Sequence, residues 1–271
     1  MAGSRMRYLK SGSGRPLILV HGLLGYSFSW RFAMPALAAH ATVYAVDNLG
    51  AGFSPAPREG MDCTVRGTAE RLLQFAETLR LGEFDLLGTS HGGGVAMMAA
   101  ALAAARGRPR IGKLILVAPV NPWSPHGKRL APFLVTPLGS FIFRNTIERW
   151  RPLDYLWLWR LFSEGAKIPP DSLAGYRMPV LENHGFRHAS NILKSWTADL
   201  KEIESILPKI RNYPTLLIWG TKDRAVHFSS AQRLRRNFTN ARLVAFDGVG
   251  HLPYEEAPEE FNRVLIEFLR G

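Results

Sequence analysis

Three residues that could together activate a hydroxyl group stand in separate glycine-containing segments of the chain. Ser90 is the centre of the run G-T-S-H-G, His251 lies in G-V-G-H-L-P, and Asp223 ends the run W-G-T-K-D. A serine hydroxyl is a weak nucleophile until a base removes its proton, and a carboxylate on the far imidazole nitrogen fixes the tautomer of that base. We therefore predict Ser90 as a nucleophile, His251 as its base and Asp223 as the acid that orients the base.

The glycines around Ser90 indicate a sharp turn between a strand and a helix. The run follows the apolar stretch Phe84–Leu87 and precedes a helical pattern rich in small residues. Such a turn would hold Ser90 in a strained backbone conformation above the sheet, and Gly88 and Gly92 would leave room where a Cβ would clash. The alternative is a glycine-rich turn whose serine only caps the helix.

A second glycine run, H-G-L-L-G, follows the apolar stretch Pro16–Val20. Cleavage through a tetrahedral intermediate needs two fixed donors near the developing oxyanion. We predict that the backbone N–H groups of Leu23 and His91 form this oxyanion hole, and that the ring of His21 holds the loop.

Asp247 is the alternative to Asp223 as the acid that orients the base. We favour Asp223 and expect Asp247 to shape the loop before the predicted base.

Short apolar runs alternate with helical patterns, which predicts an α/β fold built on a doubly wound, mostly parallel sheet. The predicted strands are Pro16–Val20, Thr42–Val46, Phe84–Leu87, Leu114–Val117, Thr215–Trp219 and Leu243–Phe246, with a further strand near Arg7–Lys10. The predicted helices include Val65–Leu81, Gly92–Ala105 and Pro258–Leu269.

The alternation stops between Asn121 and Pro208, a segment that holds five of the seven tryptophans. We interpret residues 121–208 as a helical cap, and residues 1–120 and 209–271 as the core domain. An insertion at the carboxyl ends of the strands would form the roof of a substrate cavity, so some of its aromatic side chains should face that cavity. We expect Trp123, Trp150 and Trp159 to line it.

Composition limits the classes of partner. The formal net charge is +12, but the arginines are scattered through helical patterns, so we predict attraction of anions rather than nucleic-acid binding. The single cysteine, Cys63, excludes an internal disulfide, and Met1–Lys10 has charges but no apolar run typical of a secretory signal. We expect a cytoplasmic protein, a monomer or homodimer, without stable membrane insertion because its apolar runs are short.

Neither a metal nor a cofactor is predicted. The histidines do not stand at ligand spacing, and the chain has no C-x-x-C pair. The glycine run around Ser90 lacks the lysine of a phosphate-binding loop. The expected partner is a small-molecule substrate.

With these signals in the order Ser90, Asp223, His251, the chain resembles the α/β-hydrolase superfamily over about residues 7–120 and 209–270. The D-x-x-G-x-G-x-S loop that starts at Asp47 and the segment H-L-P-Y-E-E-A-P that starts at His251 also fit the resemblance. Related haloalkane dehalogenases and epoxide hydrolases carry aspartate at the nucleophile position, so serine points to esterases, lipases, perhydrolases and C–C bond hydrolases.

The resemblance and the aromatic insertion favour a carboxylesterase-like serine hydrolase for small to medium apolar acyl esters. Two alternatives remain open at this point. A C–C bond hydrolase would act on a ring-cleavage diketone acid, whose carboxylate an arginine such as Arg187 would hold. A small-molecule receptor would retain the fold without efficient turnover, since fold alone does not determine function.

Overall fold

One seven-stranded sheet organises the computed structural model, which describes residues 5–56, 60–124, 131–148, 156, 158–164, 167–182 and 185–271. The strands are β1 (Tyr8–Ser11), β2 (Pro16–Val20), β3 (Thr42–Val46), β4 (Glu83–Thr89), β5 (Arg110–Val117), β6 (Thr215–Gly220) and β7 (Ala241–Phe246). They lie in the order β1-β3-β2-β4-β5-β6-β7. β1 is antiparallel to β3, and the other neighbouring pairs are parallel. The predicted α/β fold is confirmed.

The apolar runs gave strand bounds accurately where the strand is buried throughout. β2 and β3 begin and end as predicted, and both are buried along nearly their whole length. β5 begins at Arg110 rather than Leu114, because its first residues, R-I-G-K, are mostly exposed or half-buried and do not form an apolar run. They still pair with the start of β4 at Glu83.

The helices with described bounds cover both faces of the sheet. They are α1 (Met34–Ala38), α2 (Val65–Thr78), α3 (His91–Arg106), α4 (Pro137–Glu148), α5 (Ser172–Glu182), α6 (Gly185–Ile210), α7 (Ala231–Arg235), α8 (Pro253–Glu256) and α9 (Pro258–Arg270). Successive strand residues point to opposite faces. Ile18 and Val20 accordingly pack in a core with α2 and α3, whereas Leu17 and Leu19 pack in a core with α1 and α9.

The helix α2 ends earlier than its apolar pattern predicts. It begins after Thr64, whose hydroxyl accepts a hydrogen bond from the N–H of Gly67. The pattern extends to Leu81, but the helix ends at Thr78. Arg80 has a φ of +55°, and a residue in the left-handed region terminates an α-helix.

Between β5 and β6, the described residues form helices and no strand. The helix α6 spans the predicted boundary at residue 208 and ends at Ile210. Its C-terminal half packs in the same core as α2 and α3 through Leu200, Ile203, Ile206 and Leu207. The division into a cap and a core domain therefore stays a prediction, and α6 contributes to both parts. Among the described helices, none has the length and apolar composition that crossing a bilayer requires.

Candidate active site

Ser90 lies at the junction of β4 and α3 in a strained conformation. Its φ of +52° and ψ of −121° fall outside the regions that residues with a Cβ ordinarily adopt. Its N–H donates to the carbonyl of Val117 at 2.9 Å, and its carbonyl accepts from the N–H groups of Gly93 at 3.0 Å and Val120 at 2.9 Å. The neighbouring strand and helix thus hold the residue in this conformation from both sides.

Close backbone approaches explain the glycines around Ser90. A Cβ on Gly88 would lie 2.2 Å from the carbonyl oxygen of Gly92, and a Cβ on Gly92 would lie 2.3 Å from that of His21. A Cβ built on Gly22 would lie 3.7 Å from the hydroxyl oxygen of Ser90. The glycines therefore leave the room that the sequence predicted, and the H-G-L-L-G loop lies directly beside the Ser90 hydroxyl.

His251 and Asp223 form a buried pair at the ends of β7 and β6. The Nδ1 of His251 lies 2.7 Å from Oδ2 of Asp223, and both side chains are buried. The other carboxylate oxygen accepts the N–H groups of Ala225 at 2.8 Å and Val226 at 2.9 Å, which fixes the turn that carries it. With the proton of His251 on Nδ1, Nε2 is left as an acceptor in the cavity that Ser90 also lines.

The loop before His251 is fixed by residues from the insertion and from its own continuation. The N–H of His251 donates to the carbonyl of Leu161 at 2.6 Å. The N–H of Gly250 donates to Glu256 at 3.0 Å, and this buried carboxylate also accepts the N–H of Ser163 at 2.9 Å and its hydroxyl. Glu256 lies in the segment after His251 that carries the resemblance, but no local pattern in the sequence predicts this role for it.

A second buried carboxylate, Glu255, connects α5 to the core. It accepts hydrogen bonds from Ser172 at 3.0 Å and from the hydroxyl of Tyr176, and it pairs with Arg31 at 3.0 Å. Burial and this carboxylate raise the pKa of Tyr176 above its usual range, so its hydroxyl stays protonated and remains a donor. Tyr176 also lines the cavity, so the pair Glu255 and Glu256 joins the cavity wall to the His251 loop.

Asp47 and Asp247, two other aspartates in segments that the sequence singled out, accept hydrogen bonds within turns. Asp47 accepts the N–H of Ser27 at 2.7 Å and that of Phe53 at 3.2 Å, and it pairs with Arg7 at 2.8 Å. Asp247 is exposed and accepts the hydroxyl of Thr221 at 3.0 Å. The contact of Asp247 agrees with the loop-shaping role that we expected for it.

His21 holds its loop through both ring nitrogens. Its Nδ1 lies 2.8 Å from the carbonyl oxygen of Gly22, and its Nε2 accepts the N–H of Asn48 at 3.1 Å. Only a neutral ring with its proton on Nδ1 satisfies both bonds. Burial lowers the pKa of His21, which favours this neutral form. The ring therefore holds the loop, as predicted.

The N–H groups of Leu23 and His91 remain the predicted oxyanion hole. Leu23 lines the same cavity as Ser90. His91 is the first residue of α3, where an N–H has no acceptor within the helix. The His91 ring stacks on Trp196 with centroids 6.1 Å apart, and burial lowers its pKa to about 4. It is therefore neutral at physiological pH.

The cavity above Ser90 has a volume of about 200 Å³ and a mostly apolar wall. Its apolar lining includes Leu23, Leu24, Val120, Leu134, Phe143, Leu158, Leu161, Leu193, Trp196, Leu200, Val226 and Leu252. Among the described residues, His, Cys, Asp and Glu side chains do not assemble in groups of three or more that could hold a metal ion.

The predicted tryptophan lining needs correction. Trp123 lies outside the lining, beside the guanidinium of Arg233 at 5.2 Å, and packs against the sheet core. Trp159 also lies outside it, 38% exposed, and Trp150 lies outside the described residues. Trp196 lines the cavity instead. The spacing of its apolar neighbours on α6 was the sequence signal that could have identified it.

Comparison with known proteins places these observations in a family. A family model described as alpha/beta hydrolase fold matches residues 15–258. The chain is 30% identical to a putative carbamate hydrolase, RutD, of Rhizobium rhizogenes, over 98% of both proteins. It is also 30% identical to a 2-hydroxy-6-oxononadienedioate/2-hydroxy-6-oxononatrienedioate hydrolase of Burkholderia vietnamiensis, over 98% of this chain and 91% of that protein.

Solved structures share the same architecture. A thermophilic esterase from Thermogutta terrifontis has a TM-score of 0.76 at 25% identity, covering 98% of this chain and 93% of that chain. An esterase from Exiguobacterium antarcticum has a TM-score of 0.80 at 22% identity, covering 99% and 97%. The second likeness concerns the fold alone.

Proposed function

Because the chain belongs to the alpha/beta hydrolase fold family, we propose that it is a serine hydrolase that cleaves carboxylic esters of small to medium apolar acyl substrates. The observation that carries the proposal is the bond of 2.7 Å between His251 and Asp223, beside a cavity lined by both His251 and Ser90. A carboxylate on Nδ1 directs the free Nε2 lone pair at an incoming hydroxyl proton.

The proposed reaction proceeds through an acyl-enzyme. The Ser90 oxygen attacks the ester carbonyl while Nε2 of His251 accepts its proton, and Asp223 stabilises the imidazolium. The N–H groups of Leu23 and His91 stabilise the oxyanion, and one such donor is typically worth about 10²–10³-fold in kcat. His251 then protonates the leaving alcohol, and a water that it activates releases the acid.

The cavity supports the proposed substrate class. Its volume of about 200 Å³ leaves room for a small acyl chain. Its leucine, valine and aromatic side chains favour an apolar chain over a polar one.

The test measures a burst and steady-state release of nitrophenol from p-nitrophenyl acetate and butyrate at neutral pH. We expect turnover by the native chain and its loss in Ser90→Ala, with an unchanged circular dichroism spectrum. Ser205→Ala, on an exposed turn of α6, is the matched serine control. Labelling by a fluorophosphonate should map to Ser90. Full ester turnover in Ser90→Ala would refute the proposal.

Similarity to the dienedioate hydrolase of Burkholderia vietnamiensis supports C–C bond hydrolysis as a second candidate. The same hydroxyl and base could act on a vinylogous diketone acid. Its test is whether the native chain consumes such a substrate, which is monitored as a loss of the substrate's absorbance. Rapid ester turnover without consumption of the diketone acid would decide against this candidate.

A further inference from the structure

The cavity wall is apolar except for hydroxyl, amide and imidazole groups and two cations. Arg160 and Arg224 line it, and none of the described lining residues is Asp or Glu. A negatively charged group on a substrate would therefore meet a guanidinium and no carboxylate within this wall. With a substrate that lacks such a group, the guanidinium groups of these arginines would interact only with solvent or with the protein.

Arg224 is held in place by the turn that carries it and by residues of the insertion. Its backbone lies in the turn that Asp223 fixes through the N–H groups of Ala225 and Val226. Its guanidinium carbon lies 4.7 Å from the centre of the Trp159 ring, and Nη2 donates to the carbonyl of Ser163 at 3.4 Å. Stacking on an aromatic ring orients a guanidinium while leaving its edges available for hydrogen bonds.

The guanidinium of Arg224 has N–H donors available for a ligand. It carries five N–H donors in a planar fork, and its contacts with the described residues use one of them. Since the side chain is already oriented, binding of a ligand to it costs little further side-chain conformational entropy. The formal net charge of +12 also attracts anions to the molecule.

We propose that Arg224 forms a carboxylate-binding subsite at the cavity wall, for substrates that carry an ionised carboxyl group at the end remote from the reacting carbonyl. The guanidinium binds both carboxylate oxygens in a planar, bidentate pair. The inference rests on the proposed function for the identity of the reacting group, and it narrows the substrates to monoanionic esters with an apolar middle.

Binding is measured without turnover, in the Ser90→Ala protein. Two monoanions are compared by calorimetry with their neutral analogues: monomethyl adipate with methyl hexanoate, and δ-acetoxyvalerate with pentyl acetate. The first pair carries the carboxylate on the acyl side and the second on the alcohol side. We expect at least one monoanion to bind about tenfold or more tightly than its analogue, since hydrogen bonds to charged groups are strong.

Matched variants separate the direct contact with Arg224 from the electrostatic attraction of the whole protein. Arg224→Gln in the Ser90→Ala background should abolish the preference for the monoanion and leave the affinity of the neutral analogue within about twofold. Arg224→Lys should retain part of the preference, because it keeps the charge but not the fork. Lys222→Gln removes one positive charge from the same turn at an exposed side chain and should leave the preference intact.

The outcomes distinguish this site from the proposed reaction. Equal affinity for both members of each pair, or an equal loss in Arg224→Gln and Lys222→Gln, would overturn the subsite. Turnover of the same four esters by the protein that retains Ser90 is then measured in a separate experiment. The acid released by hydrolysis is monitored in a pH-stat. A binding preference without turnover retains the subsite and refutes the esterase, whereas turnover without preference does the reverse.

Discussion

Glu256 accepts a hydrogen bond of 3.0 Å from the N–H of Gly250, the residue directly before His251. The same carboxylate accepts the N–H of Ser163 and lies 3.3 Å from Lys167, and its side chain is fully buried. One acid therefore closes the His251 loop on itself and connects it to the insertion. We therefore expect the position of His251 to depend on this carboxylate, although its hydrogen bonds go to Gly250 and Ser163 rather than to the base or the nucleophile.

Replacing Glu256 by glutamine should slow the reaction more than it weakens substrate binding. The amide removes the charge that strengthens three hydrogen bonds, and each such bond is worth about 1.5–3 kcal/mol. We expect kcat for p-nitrophenyl butyrate to fall about tenfold or more, KM to change by less, and the thermal midpoint to decrease. Glu259→Gln, in the exposed first turn of α9, is the control. An unchanged kcat would show that the loop holds its position without the acid.

Asp223→Asn should reduce kcat strongly without unfolding the protein. An asparagine that donates from Nδ2 would favour the imidazole tautomer with its proton on Nε2, which cannot accept the Ser90 proton. We expect kcat to fall by about 10³–10⁴-fold and the far-ultraviolet circular dichroism to stay unchanged. Asp247→Asn, at an exposed side chain, should stay within about twofold. Comparable losses in both variants would contradict the assignment of Asp223.

Gly92→Ala should be costly, and Gly82→Ala should be mild. A Cβ at Gly92 would lie 2.3 Å from the carbonyl oxygen of His21 and 2.5 Å from that of Val20, so backbone would have to move. We expect the free energy of unfolding in urea to fall by about 1–3 kcal/mol, together with a loss of ester turnover. Gly82 has no atom within 4 Å of its added Cβ. Equal stabilities of the two variants would argue against the tight strand–helix junction.

The stability of the protein should fall as the pH falls below 6.5, with His188 as one cause. Burial is the largest cause, and repulsion by nearby groups that include the guanidinium of Arg71 adds to it; together they lower the pKa of His188 from 6.5 to about 3. Below pH 6.5 the unfolded chain binds a proton that the native state does not, so the stabilising contribution is complete above that pH and decreases toward pH 3. One such group changes the free energy of unfolding by about 1.4 kcal/mol per pH unit.

The measurement is urea unfolding at a series of pH values between about 7 and 5. His188→Leu should reduce the slope of stability against pH, by an amount that approaches about 1.4 kcal/mol per unit toward pH 5, because the titrating ring is removed. His227→Leu, at an exposed histidine, should leave the slope unchanged. A native slope in the His188→Leu protein would assign the pH dependence to other groups.

The sequence determined the features that depend on neighbouring residues. Apolar runs gave β2 and β3 because these strands are buried along their length, and G-T-S-H-G gave the strand–helix turn because its close backbone contacts require glycine. The order of Ser90, Asp223 and His251 matched a known arrangement. The strand and turn signals are local, so they can be recognised without knowledge of the remaining chain.

The tertiary structure alone decided which distant residues meet. Tyr176 and Glu255 are separated by 79 positions along the chain, yet they form one hydrogen bond. The pattern of aromatic residues suggested Trp123 and Trp159 as cavity walls, whereas the packing of α6 on α3 brings Trp196 there. Composition reveals that a side chain is apolar or charged, but the direction it faces is set by the packing of helices on the sheet. That packing depends on contacts summed over the whole core.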